Sequence, residues 1–266
     1  MTDRIPDADR TAWEQAGVRL DLDGERAVVT LCDPKRRNAQ TPAMWRALAA
    51  VGRALPGTVR VAVLRAEGSS FSAGLDRAMF TPEGIPGETG FLQLAAATDA
   101  DLDAAIASYQ EAFTWWRRND LVTIAAVQGH AVGAGFQLAL ACDLRVVAED
   151  VQFAMKETSL GLVPDLAGTK PLTELVGYAR ALEICATGRR VGADEAVAIG
   201  LANLAVPAED LDAAANDLAA ALLAAPRAAV TETKALLRGA AGRDFEAQRA
   251  AEREAQARRI RDLAGR

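Results

Sequence analysis

The sequence predicts an α/β fold with a helical C-terminal region, and three observations support this prediction. Segments typical of strands and of helices alternate up to about residue 160. After Pro164 the helical periodicity predominates. Half of the 266 residues are hydrophobic, so the chain can bury a large core. A run of alternating elements followed by helices alone is typical of an α/β core that carries a helical extension.

Apolar runs bounded by turn residues predict the strands of the first part, and apolar residues that recur every three or four positions predict its helices. The second helix, for example, has such residues from Leu102 to Trp116. Thr41 and Pro42 are typical of the N-cap and first turn of the first helix. The predicted strands are residues 27–32, 59–64, 121–127, 144–148 and 151–153. The predicted helices are residues 41–55, 101–118 and 136–141.

The second part of the chain is predicted to be mostly helical, with one short strand at residues 203–206. The predicted helices are residues 172–176, 179–187, 193–199, 211–223, 227–237 and 244–263. We therefore expect a core at residues 1–200 and a helical region at residues 201–266. The last helix is dense in charge, which favours either a solvated face with i,i+4 ion pairs or packing on a neighbouring subunit.

Composition excludes several classes of function. The formal net charge is -6, with 30 Lys and Arg against 36 Asp and Glu, which disfavours binding to nucleic acid or to an anionic membrane. The three cysteines are odd in number and far apart, which indicates thiols rather than disulfides or a metal site. Segment 1–15 does not resemble a signal peptide, and no stretch reaches the roughly 20 apolar residues of a membrane span. We expect a cytoplasmic protein without a bound metal.

Two turns rich in glycine and alanine are candidates for ligand binding. The first is Phe71–Asp76 and the second is Gly129–Gly135, which lies between a strand and a helix. Small residues allow backbone N–H groups to approach a ligand, and two such groups can stabilise one oxyanion. Tight turns without a function have the same composition, so this alternative stays open. The glycine spacing fits neither a phosphate-binding loop nor a dinucleotide fingerprint.

Two carboxylates follow these turns. Glu157 lies in a stretch of apolar and small residues, and Asp165 follows eight residues later. Burial raises the pKa of a carboxyl group, which suits it to general acid–base catalysis. In the alternative interpretation, Asp165 caps a helix that begins near Gly168, and Glu157 pairs with Lys156 or a surface cation.

Four segments together resemble the crotonase superfamily, the enoyl-CoA hydratase/isomerase family. In this order and spacing they resemble its early CoA-binding loop, its two oxyanion loops with the following helix, and its acid–base segment. They are Pro34–Ala39, Phe71–Asp76, Gln128–Gly135 with residues 138–143, and Glu157–Leu162.

The resemblance implies a crotonase-like spiral of ββα units with a helical C-terminal trimerisation region, assembled as a homotrimer or as a hexamer of two trimers. It implies an acyl-CoA site in residues 1–200, while residues 201–266 would serve oligomerisation and cover the CoA. The substrate would be a coenzyme A thioester, with no separate cofactor. Lys234 and Phe245 would approach the CoA of their own or an adjacent subunit.

The resemblance also implies roles for individual residues. The backbone N–H groups of Leu75 and Ala134 would form the oxyanion hole, and Glu157 and Asp165 would be catalytic. The residues expected to bind substrate or CoA are Lys35, Arg37, Ala39, Ala73, Asp76, Arg77, Gly133 and Gln137.

At one position the chain departs from the hydratases of this family. They use two glutamates, and the first of these is Gln137 here, whereas the second is present as Glu157. A glutamine accepts no proton at neutral pH, although it can hold water by hydrogen bonds. This pattern resembles the isomerases, which keep the glutamate at position 157, and the dienoyl-CoA isomerases, which also have an aspartate eight residues later.

The sequence therefore favours an enoyl-CoA or dienoyl-CoA isomerase. The alternatives are a hydratase that works with one glutamate, a non-catalytic acyl-CoA-binding protein, and an aryl-CoA dehalogenase with Asp165 as nucleophile. The dehalogenases have a tryptophan where Glu157 stands, which disfavours the last of these. Residues 78–100 are expected to be a mobile loop, a lid or wall of the acyl pocket, and its aromatic residues suggest an apolar acyl group.

Overall fold

The structure is a computed structural model that describes residues 5–265. Residues 1–4 of the N-terminal segment 1–15, and residue 266 at the end of the helical region, lie outside the described residues. The described chain contains helices and two sheets in which parallel pairs predominate, and the predicted α/β class is confirmed.

A six-stranded sheet forms the centre of the molecule. Its strands are β1 (Val18–Asp23), β2 (Arg26–Leu31), β3 (Val61–Ala66), β4 (Val122–Val127), β6 (Leu144–Ala148) and β9 (Leu204–Val206). The spatial order is β1-β2-β3-β4-β6-β9, and only the β1–β2 pair is antiparallel. All residues of β4 are buried, as expected for a central strand.

A second sheet of three short strands lies beside the first. It consists of β5 (His130–Val132), β7 (Gln152–Ala154) and β8 (Arg190–Gly192), in the order β5-β7-β8. Strands β5 and β7 are parallel, and β7 and β8 are antiparallel. This small sheet matters for the site because β5 lies within the second glycine-rich segment, Gly129–Gly135, which was predicted as a turn, and β7 leads to Glu157.

The helices agree closely with the periodicity of the sequence. They are α1 (Asp7–Gln15), α2 (Pro42–Ala54), α3 (Phe91–Ala95), α4 (Asp99–Thr114), α5 (Ala134–Ala141), α6 (Thr169–Val176), α7 (Tyr178–Thr187), α8 (Ala193–Ala198), α9 (Leu211–Ala224), α10 (Arg227–Ala240) and α11 (Phe245–Leu263). Thr41 caps α2, since its side chain accepts a hydrogen bond from the Met44 N–H at 3.2 Å.

Both faces of the large sheet are buried. Alternate residues of β3 face opposite sides: Ala62 and Leu64 belong to the main core, whereas Val61 and Val63 belong to a smaller cluster that includes Leu211 and Ala219 of α9. Burial on both faces explains why these strands are continuous apolar runs in the sequence.

The structure adds elements that were not among those predicted. Strand β1 lies at the sheet edge, and its sequence alternates apolar residues with three more exposed charged residues, a period-two pattern that the prediction above omitted. Strands β5 and β8 have only three residues each. Residues 78–100, expected as a loop, contain most of a 3-10 turn (Arg77–Phe80) and helix α3, and Arg46 of α2 binds Glu88 within them at 2.9 Å.

The region after residue 200 begins within the core, since β9 joins the large sheet and α9 packs on β3, β4 and β6. Helices α10 and α11 pack on each other and are linked by the Glu232–Arg258 ion pair. The division into residues 1–200 and 201–266 stays a prediction. None of the helices between residues 5 and 265 is long and apolar enough to cross a membrane.

Candidate functional site

The two glycine-rich turns lie against each other. The Ser72 N–H donates to the His130 carbonyl at 2.9 Å, and the Val132 N–H donates to the Ser72 carbonyl at 3.0 Å. A Cβ built on Gly74 would lie 3.6 Å from the Ala134 nitrogen. The chain immediately before Leu75 therefore runs beside the amide of Ala134 at the start of α5.

The amides of Leu75 and Ala134 differ from those around them. The N–H groups of Gly74, Asp76 and Gly133 are bonded to protein, at 3.2, 2.8 and 2.8 Å respectively. Across residues 5–265, the N–H groups of Leu75 and Ala134 have no protein acceptor. Ala134 is the first residue of α5, where the helix dipole adds partial positive charge. Two donors without protein acceptors lie in adjacent turns, which is the arrangement that an oxyanion requires.

A buried polar network fixes the first turn. The Ser72 hydroxyl donates to the Asn38 carbonyl at 2.8 Å and accepts from Gln40 Nε2 at 3.2 Å. The Trp45 indole N–H in turn donates to Gln40 Oε1 at 2.7 Å. Asn38, with a positive φ of 51°, is fully buried and donates to the carbonyls of Glu67 and Ser70. This network joins the loop before α2 to the first turn, which therefore has a rigid support.

Glu157 lies beside the second turn. It begins a 3-10 turn after β7, and its Oε1 lies 3.3 Å from the position of a Cβ on Gly133. Oε1 accepts a hydrogen bond from Gln137 Nε2 at 2.6 Å, whereas Oε2 is buried without a partner among the described residues. Burial raises the pKa of Glu157, and the nearby charge of Asp165 raises it further. The alternative interpretation that Glu157 pairs with Lys156 or a surface cation is wrong for the described chain, since Oε1 is bonded to Gln137 and Oε2 has no partner there.

Asp165 lies in the turn that leads to α6, and burial raises the pKa of its carboxyl group as well. Gln110 Nε2 donates to the Asp165 carbonyl at 2.6 Å. The N-cap of α6 is Gly168, and no side chain caps this helix, so the alternative role of Asp165 as a helix cap is also wrong. The structure brings both predicted carboxylates to one half-buried location.

Gln137, expected to contact the substrate, uses both of its polar atoms on protein groups. Its side chain is 1% exposed. Besides the bond to Glu157, Gln137 Oε1 accepts from the Leu166 N–H at 2.9 Å and from the Gly168 N–H at 3.3 Å. It therefore links α5, Glu157 and the Asp165 turn.

The residues expected along the CoA path lie on two adjacent loops. A hydrogen bond from the Ala73 N–H to the Arg37 carbonyl, at 2.9 Å, joins these loops. Lys35, Arg37 and Arg77 are exposed and make no ion pair within residues 5–265. Asp76 is bound to Arg36 at 2.8 Å and caps the 3-10 turn after it. Ala39, in the same loop, is half-buried.

Lys234 does not fit its expected approach to CoA. The side chain is buried; its Nζ donates to the Leu121 carbonyl at 2.7 Å and pairs with Asp143 Oδ2 at 2.6 Å. Lys234 thus anchors α10 to the core. Phe245, by contrast, is 77% exposed at the start of α11.

Sequence reasoning missed several groups that shape the site. Arg36 and Gln110 make their contacts with residues 40 and 55 positions away in the chain, and no local motif indicates such pairs. The serine of the first turn, Ser72, was part of the recognised motif, but its role as acceptor for the Gly74 N–H was not predicted. Within residues 5–265, no cluster of three His, Cys, Asp or Glu side chains could hold a metal ion.

Comparison with known proteins identifies the same family. A model of the family described as "Enoyl-CoA hydratase/isomerase" matches residues 24–263. A "probable enoyl-CoA hydratase" of Rhodobacter capsulatus is 33% identical over 217 residues, which are 82% of this chain and 79% of that protein.

Solved structures agree in fold over the whole chain. A "putative enoyl-CoA hydratase" of Thermobifida fusca, solved in complex with CoA, is 48% identical, with a TM-score of 0.92 and full coverage of both chains. The same protein was solved in complex with acetoacetyl-CoA. An enoyl-CoA hydratase of Mycobacterium smegmatis has a TM-score of 0.80 at 30% identity, covering 92% of this chain and 91% of that one.

Proposed function

Because this chain belongs to the enoyl-CoA hydratase/isomerase family, we propose that it binds an enoyl-CoA or dienoyl-CoA thioester and shifts its double bond. The amides of Leu75 and Ala134 stabilise the enolate, and Glu157 and Asp165 carry the proton. The observation that carries this proposal is that Glu157 Oε2, beside the second turn, is buried and has no hydrogen-bond partner among residues 5–265.

The thioester carbonyl binds where the two turns meet. When a base removes the proton next to a thioester, negative charge moves to the carbonyl oxygen. Two preorganised N–H donors stabilise that charge more than they stabilise the neutral carbonyl, and this difference lowers the barrier. Both donors are main-chain groups held by the network around Ser72, so they need no rearrangement during the reaction.

Glu157 is the base that begins the shift. The raised pKa of Glu157 is closer to neutral pH than the pKa of an exposed glutamate. A group with such a pKa can both accept a proton and give it back efficiently. Glu157 removes the proton from C2 or from the allylic carbon, and Glu157 or Asp165 returns a proton further along the acyl chain. When Glu157 returns the proton that it removed, the result is a 1,3 shift. In a 1,5 shift Asp165 begins protonated and donates its proton, Glu157 keeps the proton that it removed, and transfer of one proton from Glu157 to Asp165 through solvent restores both groups. The reaction needs no metal or redox cofactor.

The test is direct. Purified protein is given 3-enoyl-CoA and 3,5-dienoyl-CoA substrates, and formation of the conjugated product is followed by absorbance. We expect turnover that falls by about 10²-fold or more in Glu157→Ala. Asp165→Asn should impair the dienoyl substrate more than the enoyl substrate. Full activity of Glu157→Ala, or no turnover of either substrate by the unaltered protein, would refute the proposal.

Hydration is the second candidate, and the names of the relatives favour it, since the Thermobifida and Rhodobacter proteins are both described as hydratases. A hydratase with Glu157 alone would be slow, because Gln137 cannot accept a proton. Loss of absorbance with crotonyl-CoA measures this activity. If hydration is the native reaction, Gln137→Glu should raise its rate.

A non-catalytic role would leave CoA-ester binding without turnover. Calorimetry with acetoacetyl-CoA, which the Thermobifida protein binds in its solved complex, detects that case.

We propose in addition that the chain is a cytoplasmic homotrimer or a hexamer of two trimers, with α10 and α11 in the subunit contacts. The exposed Leu237, Phe245 and Ile260 on these helices support this, and light scattering tests the assembly.

A further inference from the structure

Both polar atoms of the Gln137 side chain are hydrogen-bonded to protein groups. Its amide nitrogen contacts a carboxylate, and its amide oxygen contacts two backbone N–H groups. If the amide were rotated by 180°, its oxygen would face the Glu157 carboxylate, and its NH₂ group would face the N–H groups of Leu166 and Gly168. Neither contact would then be a hydrogen bond, so only the observed orientation satisfies them. The side chain is buried and therefore exchanges these partners for water only at a cost.

The bond from Gln137 makes the two oxygens of Glu157 unequal. Oε1 is occupied by the amide N–H at 2.6 Å, and Oε2 is buried without a partner in the described chain. The carboxylate cannot rotate to exchange its oxygens without breaking this bond. Oε2 is consequently the atom left to take a proton.

The amide oxygen of Gln137 fixes the second carboxylate indirectly. It holds the N–H groups of Leu166 and Gly168, which flank Ala167, and Ala167 adopts a positive φ of 62°. A non-glycine residue in this left-handed conformation persists only when its surroundings hold it there. Asp165 directly precedes this segment, so its position depends on Gln137.

We propose that Gln137 is a positioning residue that holds Glu157 and the Asp165 turn at a fixed distance from each other and leaves Glu157 Oε2 as the basic atom. This inference rests on the proposed function, in which Glu157 is the base. It assigns Gln137 a role other than holding the attacking water, the role that its place in the hydratase pattern would give it.

Gln137→Met tests the proposal, since methionine is of similar size but has neither a strong donor nor a strong acceptor. We expect kcat to fall at least tenfold while the KM and the calorimetric affinity for the CoA ester change less than twofold. The acid limb of the pH profile should move to higher pH, because the carboxylate loses the hydrogen bond that stabilises its charged form. Gln137→Glu should move the limb still further, since two adjacent carboxylates share a proton.

A second measurement does not depend on activity. The protein is labelled with ¹³C in its glutamate side chains, and the Glu157 resonance, assigned by its loss in Glu157→Gln, is titrated. Its pKa should be higher in Gln137→Met than in the unaltered protein. Gln110→Met is the matched control: it removes a tether of the Asp165 turn but keeps the bond from Gln137 to Glu157, so the Glu157 pKa should change less than in Gln137→Met.

An unchanged Glu157 pKa in Gln137→Met, or a raised KM with an unchanged kcat, would overturn the positioning role. If the unaltered protein shows no isomerisation, the proposed function fails, and the NMR titration still decides whether Gln137 sets the ionisation of Glu157. Retained CoA-ester binding shows that each variant is folded.

Discussion

Gly74 lies so close to the carbonyl oxygen of Val132 that a Cβ on this glycine would be 2.4 Å from it. The contact brings the turn that carries Leu75 against the turn that carries Ala134. Position 74 has no room for a side chain, and its φ of 84° independently disfavours any residue other than glycine.

Gly74→Ala should therefore separate the two amides. We expect kcat/KM for the thioester substrate to fall by 10²-fold or more, the magnitude known for the loss of one oxyanion donor. Gly84→Ala is the control: it also has a positive φ, 62°, but its Cβ would meet no heavy atom of the described chain within 4 Å. If both variants lose the same amount of activity, backbone strain rather than the contact explains the effect.

The pH dependence should report the coupling of the two carboxylates. Burial raises the pKa of both, and the charge of Asp165 contributes to the increase at Glu157. A base loses activity as the pH falls through its pKa, so the acid limb of kcat/KM should lie above the ordinary range of a glutamate. Asp165→Asn removes the neighbouring charge and should move this limb to lower pH. A limb that stays in place would show that the two groups do not interact.

Glu157 should also reduce the stability of the free protein at neutral pH. Because its pKa is raised by folding, the folded state binds the proton more tightly, and the favourable contribution of the protonated form is lost as the pH rises through the folded-state pKa. Glu157→Gln removes this charge and keeps an acceptor for Gln137. Its melting temperature should exceed that of the unaltered protein at pH 8, and the difference should shrink at pH 4. A destabilised variant at pH 8 would contradict this assignment.

Three cations near the first turn, which make no ion pair with any residue that the structure describes, should contribute to CoA binding. Lys35, Arg37 and Arg77 are exposed, and CoA carries several phosphate charges. Each single alanine variant should weaken the calorimetric affinity for CoA a few-fold, and added salt should reduce the difference. Arg53→Ala, at the end of α2 and paired with Glu111, is the control. Equal losses in all four variants would indicate a general charge effect instead of a binding path.

The buried pair of Lys234 and Asp143 should matter for stability. Replacing one partner of a buried ion pair leaves a buried charge, which costs about 3–5 kcal/mol. We expect a loss of this order for Lys234→Met in urea unfolding. Lys170→Met, in the exposed pair with Glu174, should cost about 0–1 kcal/mol. Similar values for the two variants would mean that Lys234 does not anchor α10.

The strands and helices of the core could be predicted because their signals are local. Strand β4, for instance, is buried throughout, and its sequence is a continuous apolar run. Strand β1 alternates apolar and charged residues, the pattern typical of a half-buried strand, so its sequence also contained the signal, although it was not among the predicted strands. Three-residue strands such as β5 carry too little pattern to be recognised.

The residues of the site also fall into those that a local motif predicts and those that depend on long-range packing. Glu157 and the two glycine-rich turns belong to contiguous motifs, and the sequence located them. The bond between Gln137 and Glu157 joins residues twenty positions apart, and the pair of Lys234 and Asp143 joins residues ninety-one apart. Such contacts depend on how the elements pack, so no local motif predicts them for Gln137 or Lys234.

In the reaction that we propose, the groups that stabilise the enolate are the main-chain amides of Leu75 and Ala134, whereas the groups that move protons are side chains. A substitution at either amide position leaves its N–H in place unless the new residue is proline, so enolate stabilisation is protected against most mutations. Proton transfer has no such protection, because a single base change converts the codon of Gln137 into one for glutamate. Proteins with this fold can therefore change from one reaction to another by substituting side chains, while the backbone amides that stabilise the enolate are retained.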